Sequence, residues 1–381
     1  MSVTQQMELS GQVLKVFCVA GTRPEYIKLF PVYKQLKEAD IEVKWVSSGQ
    51  HLELVKDLEE FFEIKPDYIF DLSQKPNKTL AELSSELLLE ADLLFKREKP
   101  NWVIVQGDTA TTLQAALAAF YNKIPVAHVE AGLRTGDLEN PFPEELNRRM
   151  VSQISSLNFC PSQCAFDNLI KEGHSNNYLV GNTVIDSLKE CLEKINIEKA
   201  ARPFILITAH RRENLELIET GLAEAIKDLA LLKPDYDFVI KLHANPQVVQ
   251  AFSKLRKLAI ENIKFLETLS YPSFVKLMAE AEFIVTDSGG IQEEAPYLGK
   301  LVLIFRNKTE RVEVIEAGLA RLIGTEKEAI KDSVLELIEK PDLCAQMSNS
   351  SKNIYGDGKS SSQILSILLG WIATSTASPR K

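Results

Sequence analysis

The sequence contains little cysteine and no apolar run that could cross a membrane. Five of its 381 residues are cysteine, and no set of cysteines and histidines has the spacing of a zinc site. The apolar stretch near the C-terminus, ILSILLGWIA, is far shorter than the roughly 20 residues that a bilayer-spanning helix needs. The N-terminus, MSVTQQMELSGQ, is polar, unlike a signal peptide. We therefore expect a cytoplasmic protein with reduced thiols, no metal and no membrane partner.

The sequence also lacks an excess of positive charge. It has 44 Lys and Arg against 53 Asp and Glu, which gives a formal net charge of −9. A sequence-independent nucleic-acid binder is normally basic, so no nucleic-acid partner is expected. Neither GxGxxG nor GxxxxGK[ST] occurs, so the common dinucleotide and P-loop sites are excluded and no cofactor is expected. Any anionic ligand must be held by a local cluster of basic residues.

What the sequence does contain is a regular alternation of short β-branched runs and helical segments. The runs are VLKVFCVA, VKWVSS, WVIVQG, PVAHVE, LNFCPS and NYLVG in the first half, and FILITAH, DFVIKLH, NIKFLE, FIVTDSG and LVLIF in the second. This alternation predicts α/β domains, each with a parallel sheet wound on both faces by helices. The carboxyl ends of the strands in two such domains are expected to face a shared central cleft, where ligands of these sheets bind.

Domain boundaries follow from the charged, helix-prone stretch between the two series of strands. We predict a linker at 186–202, which joins a first domain over 1–185 to a second over 203–358. The segment 359–375 follows the turn sequence YGDG and has no strands of its own. It must therefore pack on one of the two domains.

The motif FIVTDSGGIQEEAPYLGK predicts a strand, a Ser-Gly-Gly turn and the start of a helix. Gly289 and Gly290 allow backbone N–H groups to approach a phosphate, and Ser288 adds a hydroxyl donor. Glu294, about one turn into the helix, is placed to accept from both hydroxyls of a ribose. A pyrophosphate beside a ribose indicates a nucleoside diphosphate. The alternative is a plain turn packed on the sheet, which leaves the acidic pair of Glu293 and Glu294 without a purpose.

Basic residues also follow the predicted strands. In GTRPEYIK, Gly21 permits a tight turn and Pro24 suits the first position of a helix, whose N-terminus attracts anions. The alternative for this motif is a surface turn with two solvated bases, Arg23 and Lys28. Further basic groups follow strands of the second half, namely His210, Arg211 and Arg212 in TAHRREN and Arg306, Lys308 and Arg311 in FRNKTER.

Three carboxylates lie at strand ends of the first half. Asp108 follows WVIVQG, Glu130 follows PVAHV, and Glu144 lies in the loop ENPFPEELNRR. Carboxylates at this edge of a parallel sheet are candidates for acid–base catalysis. The alternative for each is a helix N-cap or an ion-pair partner, and for Asp108, before TATT, the two interpretations are nearly balanced. For His128 and His243 a structural hydrogen bond is the favoured interpretation.

Taken together, these motifs resemble the non-hydrolysing UDP-N-acetylglucosamine 2-epimerases. The resemblance runs in order from about Val13 to Gln363 and includes GTRPEYIKLFPV, SGQH, QGDTATTLQAALAAFYNKIPVAHVEAGLRTGDLENPFPEELNRR, GNTVID, TAHRREN, TDSGGIQEEAPYLGK, TER and YGDG. It implies two Rossmann-like domains of the glycosyltransferase-B type, with a last helix that crosses back to the first domain. It also implies reversible conversion of UDP-GlcNAc into UDP-ManNAc, by elimination and re-addition of UDP through a 2-acetamidoglucal.

The resemblance assigns roles to the candidate residues. Asp108, Glu130 and Glu144 would be the acid–base carboxylates, and His210 would assist the leaving group. Substrate contacts would come from Arg23, Lys28 and Arg311 at the phosphates, Ser288, Gly289 and Gly290 at the diphosphate, Glu294 at the ribose and Phe274 near the uracil. A second, activating substrate site would involve Gln50, Arg211 and His243. The partners implied are UDP-GlcNAc, UDP-ManNAc and a second copy of the chain in a homodimer.

Four other functions remain open at this stage. A related two-domain glycosyltransferase would bind the same donor but has little need for three carboxylates. A non-catalytic UDP-sugar sensor has still less need for them. A hydrolysing epimerase is disfavoured by the intact GTRPE and PFPEELNRR motifs. An epimerase of another UDP-2-acetamido sugar would use the same site residues.

Overall fold

The computed structural model describes residues 14–50, 52–73, 78–211, 214–243, 245–340 and 353–377, with side chains up to residue 374. The chain divides into two compact units. The first unit comprises Met1–Lys189 together with Tyr355–Lys381, and the second comprises Glu190–Ile354. No helix within the described ranges is long and apolar enough to span a bilayer.

The first unit is built on a seven-stranded parallel sheet in the order β3-β2-β1-β4-β5-β6-β7. The strand order reverses direction on either side of β1, so helices cover both faces of the sheet. Buried side chains of β1 and β4, such as Phe17 and Val103, pack with Leu87 and Ala116 from two covering helices. The strands are β1 Lys15–Ala20, β2 Glu42–Ser47, β3 Tyr68–Ile69, β4 Trp102–Gln106, β5 Val126–Val129, β6 Leu157–Cys160 and β7 Asn177–Leu179.

The helices of this unit begin with α1, whose start carries its own capping residues. The Glu25 carboxylate accepts from the backbone N–H groups of Gly21 and Thr22 (2.9 and 2.6 Å), and Pro24 lies in the first turn. These contacts satisfy N–H groups that would otherwise have no partner at the helix end. The helices are α1 Arg23–Glu38, α2 Leu52–Phe61, α3 Leu80–Glu98, α4 Ala110–Tyr121, α5 Glu144–Ile154, α6 Gln163–Lys171 and α7 Val184–Lys194.

A further helix, α16 (Ser360–Ala377), completes the first unit after the chain returns from the second. It packs against α1 and buries Ile364, Leu368 and Ile372, which lie one turn apart on a single face. The Trp371 ring meets Trp102 of β4 edge to face, with 5.1 Å between centroids. The expected return of the C-terminal helix to the first domain is therefore confirmed.

The second unit contains a six-stranded parallel sheet in the order β10-β9-β8-β11-β12-β13. The strands are β8 Phe204–Thr208, β9 Asp237–Lys241, β10 Ile263–Leu266, β11 Ile284–Thr286, β12 Val302–Ile304 and β13 Ala320–Leu322. The helices are α8 Leu215–Leu217, continued by a π-helical turn at Ile218–Leu222, α9 Ala223–Leu232, α10 Pro246–Ala251, α11 Ser253–Lys257, α12 Tyr271–Glu280, α13 Gly289–Tyr297, α14 Val312–Glu316 and α15 Lys327–Glu339.

The predicted α/β class with two parallel sheets is confirmed, and each predicted apolar run contains a strand. Cys18 and Cys160 are buried in β1 and β6, as their apolar context predicts. Two short strands at sheet edges, β3 and β13, were not among the predicted runs. The first part of the stretch assigned to a linker, from Asp186 to Lys194, lies in helix α7.

Candidate active site

Glu130 lies directly after β5 at the carboxyl edge of the first sheet. Its backbone has a φ of 65°, which turns the chain sharply at the strand end. The carboxylate is buried, and Lys28 of α1 donates to it at 2.5 Å. Gln106, the last residue of β4, and Asn182, which follows β7, also donate to it. Glu130 and Lys28, separated by 102 residues in sequence, are therefore joined in one buried cluster.

Arg23 occupies the first position of α1 but faces a different partner. Its guanidinium donates to both carboxylate oxygens of Asp57 on α2 and to the carbonyl of Leu54 (2.6 Å). The pair is partly exposed, with 28% of the Arg23 side chain and 29% of the Asp57 side chain accessible. A ligand phosphate at Arg23 would have to compete with, or share, this ion pair.

Asp108 lies two residues beyond β4, and its carboxylate accepts from Arg148 Nε of α5 at 2.8 Å. It is not the N-cap of α4, because Thr109 takes that position and accepts from the Thr112 N–H. The N-cap interpretation of Asp108 is therefore wrong, whereas the ion-pair alternative is present, with Arg148 as the partner. Its side chain remains 26% exposed, so it keeps a path to a ligand. A Cβ on Gly107, the residue before Asp108, would stand 3.5 Å from a Glu130 carboxylate oxygen, so the turn that carries Asp108 lies against Glu130.

Glu144 and Glu145 open helix α5 but differ in environment. Glu145 is fully buried and accepts from Arg148, Arg149 and the backbone N–H of Thr135. It therefore anchors the loop before α5 and holds Arg148, which in turn holds Asp108. Glu144 is only partly buried at the first position of the helix. Of the two, Glu144 is the one exposed enough to meet a ligand.

His128, inside β5, is fully buried, and its Nε2 lies 2.7 Å from the carbonyl oxygen of Gly107. Burial lowers the pKa of His128 to about 4, so the ring is neutral at pH 7 and donates to this carbonyl. The structural role predicted for His128 is therefore confirmed by its hydrogen bond. The bond fixes the turn from which Asp108 projects.

In the second unit, the Ser-Gly-Gly turn follows β11 and leads directly into α13, as the motif predicts. Ser288 is the N-cap, and Gly289 begins the helix. Asp287, just before the turn, is fully buried and accepts from the backbone N–H groups of His210 (3.1 Å) and Arg211 (3.0 Å). The ends of β8 and β11 are therefore connected at the base of the turn.

Arg311 lies underneath this turn, with a guanidinium that is largely buried. It donates to Glu293 at 2.7 and 2.5 Å and to Glu310 at 2.5 Å. A Cβ on Gly289 would stand 2.5 Å from the Arg311 guanidinium, so only glycine allows the two to meet. Glu293, which local sequence left without a purpose, is thus the ion-pair partner of Arg311.

Glu310 pairs with three arginines at the carboxyl edge of the second sheet. It is buried and pairs with Arg311, Arg306 (2.9 Å) and Arg211 (3.5 Å). Burial alone would raise the pKa of Glu310, but the arginines, led by Arg311, hold it well below its usual range. The basic residues predicted to follow separate strands are thus brought together around one permanently ionised carboxylate. Lys308 is exposed, and Arg212 lies outside the described residues.

His210 stacks on His243, with 5.2 Å between ring centroids, and its Nδ1 lies 3.4 Å from Asp287. Burial and the His210 charge lower the pKa of His243, which also accepts from the Asn245 N–H through Nδ1. Phe274, on α12, is half-buried, and Lys241 lies over its ring at 5.6 Å. These side chains line the carboxyl ends of β8 and β9.

Two further candidates are Glu294 and Gln50. Glu294 lies in the second turn of α13, 4.0 Å from the Cβ direction of Gly290. Gln50, three residues after β2 in the first unit, accepts from Thr111 at 3.2 Å.

No sequence motif predicted a role for Gln106, Asn182, Glu145, Arg148, Asp287 or Glu310. All of these support other site residues. Gln106, Asn182, Arg148 and Asp287 lie 24 to 77 residues from what they hold, so no local pattern reveals them. Glu145 and Glu310 also pair with arginines within four residues of them in sequence.

Comparison with known proteins places the chain among nucleotide-sugar enzymes. The sequence model of UDP-N-acetylglucosamine 2-epimerase matches residues 34–369. The UDP-N-acetylglucosamine 2-epimerase of Campylobacter jejuni is 40% identical over 377 residues, which covers 94% of this chain and 98% of that protein. The enzyme of the same name from Neisseria meningitidis serogroup A is 42% identical over 372 residues, covering 93% and 99%.

A solved structure agrees with the sequence comparison. The crystal structure of UDP-GlcNAc 2-epimerase from Neisseria meningitidis, bound to UDP-GlcNAc, matches this chain with a TM-score of 0.88 at 41% identity. The match covers 93% of this chain and 100% of the other. The resemblance drawn from the motifs is therefore confirmed for fold and family.

Proposed function

The chain belongs to the UDP-N-acetylglucosamine 2-epimerase family, and from this premise we propose that it interconverts UDP-GlcNAc and UDP-ManNAc by elimination and re-addition of UDP. As an epimerase it is an isomerase. What is proposed is the route of the reaction, the identity of the sugar and the residues that take part in catalysis and binding.

The chemistry of C2 defines what the protein must supply. No carbonyl neighbours C2, so its hydrogen is not acidic enough for direct removal. In the proposed route the C1–O bond breaks and UDP leaves with the bonding electrons, while a carboxylate takes the C2 proton. The product is UDP and a 2-acetamidoglucal. In the return step a proton is delivered to the opposite face of C2, and a UDP oxygen re-forms the bond to C1.

The observation that carries this proposal is the carboxylate cluster at the ends of β4 and β5. Glu130 is buried against Lys28, while Asp108 remains partly exposed and is held by Arg148. Two acids with different environments at one sheet edge suit a reaction that needs both a base and an acid. Glu144, at the start of α5, is the third group proposed to take part. The proton transfers are assigned to these three carboxylates as a group rather than to one residue.

We assign the UDP moiety to the second unit. The free N–H groups at the start of α13 and the Arg311 guanidinium below them form a suitable environment for a diphosphate. Proposed contacts are Ser288, Gly289, Gly290 and Arg311 for the diphosphate, Glu294 for the ribose and Phe274 for the uracil. His210 is proposed to assist the departure of UDP, because oriented donors stabilise charge that develops on a leaving group. For the first unit, the proposed phosphate contacts are Arg23 and Lys28, each of which would have to share its present ion pair, Arg23 with Asp57 and Lys28 with Glu130.

The test is incubation of the protein with UDP-GlcNAc in heavy water, followed by NMR of the sugar. We expect deuterium at C2 and a mixture of UDP-GlcNAc and UDP-ManNAc. In Asp108→Asn, exchange at C2 should fall by about 100-fold or more, which is the size of a general acid–base contribution. Asp167→Asn, at an exposed position of α6, is the matched control and should exchange at the normal rate.

Other outcomes separate the alternatives. Retention of protium at C2 in a protein that binds UDP-GlcNAc would show that this route is wrong. UDP release that depends strictly on an added acceptor would identify a glycosyltransferase. Binding without turnover, unaffected by Asp108→Asn, would identify a sensor. The same assay with other UDP-2-acetamido sugars defines the range of substrates.

Three expectations from the resemblance stay predictions. They are a homodimer, a cytoplasmic location, and a second, activating substrate site that involves Gln50, Arg211 and His243. Each concerns a property separate from the reaction route, so the exchange experiment does not decide them.

A further inference from the structure

Asn182, in the motif GNTVID, has a fixed hydrogen-bond partner for each of its polar groups. Its backbone N–H donates to the Tyr355 carbonyl at 2.7 Å. Its Oδ1 accepts from the backbone N–H of Val184 at 3.1 Å, where helix α7 begins. Its Nδ2 donates to Glu130 Oε1 at 3.3 Å. The side chain is buried, with 2% of the residue exposed.

These contacts determine the orientation of the side-chain amide. An N–H group faces one end of the amide and a carboxylate faces the other. Only the oxygen can accept from Val184, so the NH₂ group must point at Glu130. The reversed amide would place an oxygen against the carboxylate and lose both hydrogen bonds. Asn182 is thus a donor toward Glu130 by chemical necessity.

The Asn182 backbone is as firmly placed as its side chain. The preceding residue, Gly181, has a φ of 88°, and a Cβ there would lie 2.8 Å from both the Tyr355 carbonyl and Ser360 Oγ. Only glycine can pack so closely against the segment that returns to the first unit. The donor that meets Glu130 is therefore anchored where the chain re-enters this unit.

We propose that Asn182 is a positioning residue for Glu130 in the proton-transfer chemistry. Three donors surround the carboxylate: Lys28, Gln106 and Asn182. Lys28 supplies the charge, but its side chain is long and flexible, whereas Asn182 is short and fixed at both ends. Asn182 therefore limits where the carboxylate can point, and it keeps the oxygens aligned for the sugar. This inference rests on the proposed function.

The test is Asn182→Asp, which replaces the side-chain NH₂ group by an oxygen and leaves the shape of the side chain unchanged. The new carboxylate still accepts from Val184, so the start of α7 stays capped. Toward Glu130, however, it presents an acceptor and a like charge in place of a donor. We expect kcat to fall by about 10-fold or more because Glu130 is displaced. KM should stay within about twofold, since a loss of alignment is not a loss of binding. The melting temperature of this variant should fall, because two carboxylates are then buried side by side, so the uncharged serine variant tests whether folding is affected.

Two further variants make the test decisive. Asn182→Ser keeps a short acceptor for the α7 start and adds no charge, and its hydroxyl ends one bond short of the Nδ2 position that reaches Glu130, so kcat should fall in the same direction but by less. Asn176→Asp makes the same charge change at an exposed position just before β7, at the opposite edge of the sheet, and kcat should not change. If Asn182→Asp does not fold, the serine variant decides.

Normal kcat in the folded Asn182 variants would overturn the inference while leaving the epimerase function intact. Absence of C2 exchange in the wild-type protein would instead overturn the proposed function. A parallel loss of kcat and melting temperature in both variants would reduce Asn182 to a structural role and would equally overturn the inference.

Discussion

Gly289 and Gly290 are neighbours in the first turn of α13, but only one of them is crowded. The Cβ direction of Gly289 points at the Arg311 guanidinium, which is held by two buried carboxylates. The nearest atom in the Cβ direction of Gly290 is a Glu294 oxygen at 4.0 Å, an ordinary contact distance. The first glycine is therefore required by packing within the protein, before any ligand is considered.

This difference predicts opposite effects of alanine at the two positions. In Gly289→Ala the new methyl group must push Arg311 away from Glu293 and Glu310, and the free energy of unfolding should fall by about 2 kcal/mol. Gly290→Ala, the matched control, should leave that free energy unchanged or raise it by up to about 1 kcal/mol, because alanine favours a helix. Urea unfolding of both variants measures the two changes. Equal effects would show that Arg311 moves freely.

The same site shows what a sequence can and cannot predict about single residues. The Ser-Gly-Gly turn and the strand-end positions of Asp108 and Glu130 were predictable because motif and strand are adjacent in sequence. Glu293 was left without an assigned role because nothing local explained it. Its partner, Arg311, lies 18 residues later. Pairing across such a distance depends on how the sheet brings strand ends together, which local pattern does not encode.

At the scale of elements, the apolar runs located eleven of the strands because continuous apolar character is what a buried parallel strand requires. The two strands not predicted are β3, which has only two residues, and β13, which contains Arg321, so neither forms a continuous apolar run. The charged stretch from Asp186 was predicted to be helix-prone, and its first part is helical. Ile185 and Leu188 of that helix are buried, so a few apolar residues outweigh many charges.

Asp186 caps the start of helix α16, so its removal should destabilise that helix. Its carboxylate accepts from Ser361 (N–H at 2.8 Å, hydroxyl at 2.6 Å) and from the Ser360 N–H, and so satisfies the start of α16. Asp186→Ala should lower the free energy of unfolding by about 1–2 kcal/mol, typical of a lost cap. Hydrogen exchange should speed up in α16 first. Asp167→Ala, exposed on α6, should change neither quantity; unaltered exchange in α16 of the Asp186 variant would contradict the capping role.

At the scale of the whole molecule, the two units differ in continuity. The second is formed from one uninterrupted stretch, Glu190–Ile354, whereas the first needs two separate stretches. The helix α16 belongs to the core of the first unit through Leu368 and Trp371. The first unit is therefore incomplete without residues that lie far from the rest of it in sequence.

Removal of residues 355–381 should accordingly affect the two units unequally. Hydrogen exchange in α1 and β4 should accelerate strongly, because these elements lose the helix that covers them. Exchange in β8, β9 and β11 should stay close to that of the full chain, which serves as the reference. Uniform acceleration across both sheets would mean that the second unit does not hold its structure independently.

The discontinuity also sets an order of events during synthesis on the ribosome. Domains generally fold as they emerge, with the N-terminal one first. Here the elements of the second unit are all translated before α16. The surface of α1 and Trp102 that α16 covers therefore stays uncovered while the second unit folds. The first unit, although it is translated first, therefore completes its fold last. Asn182 donates to Glu130 and is itself hydrogen-bonded to the returning segment, so Glu130 acquires its final surroundings only in that last step.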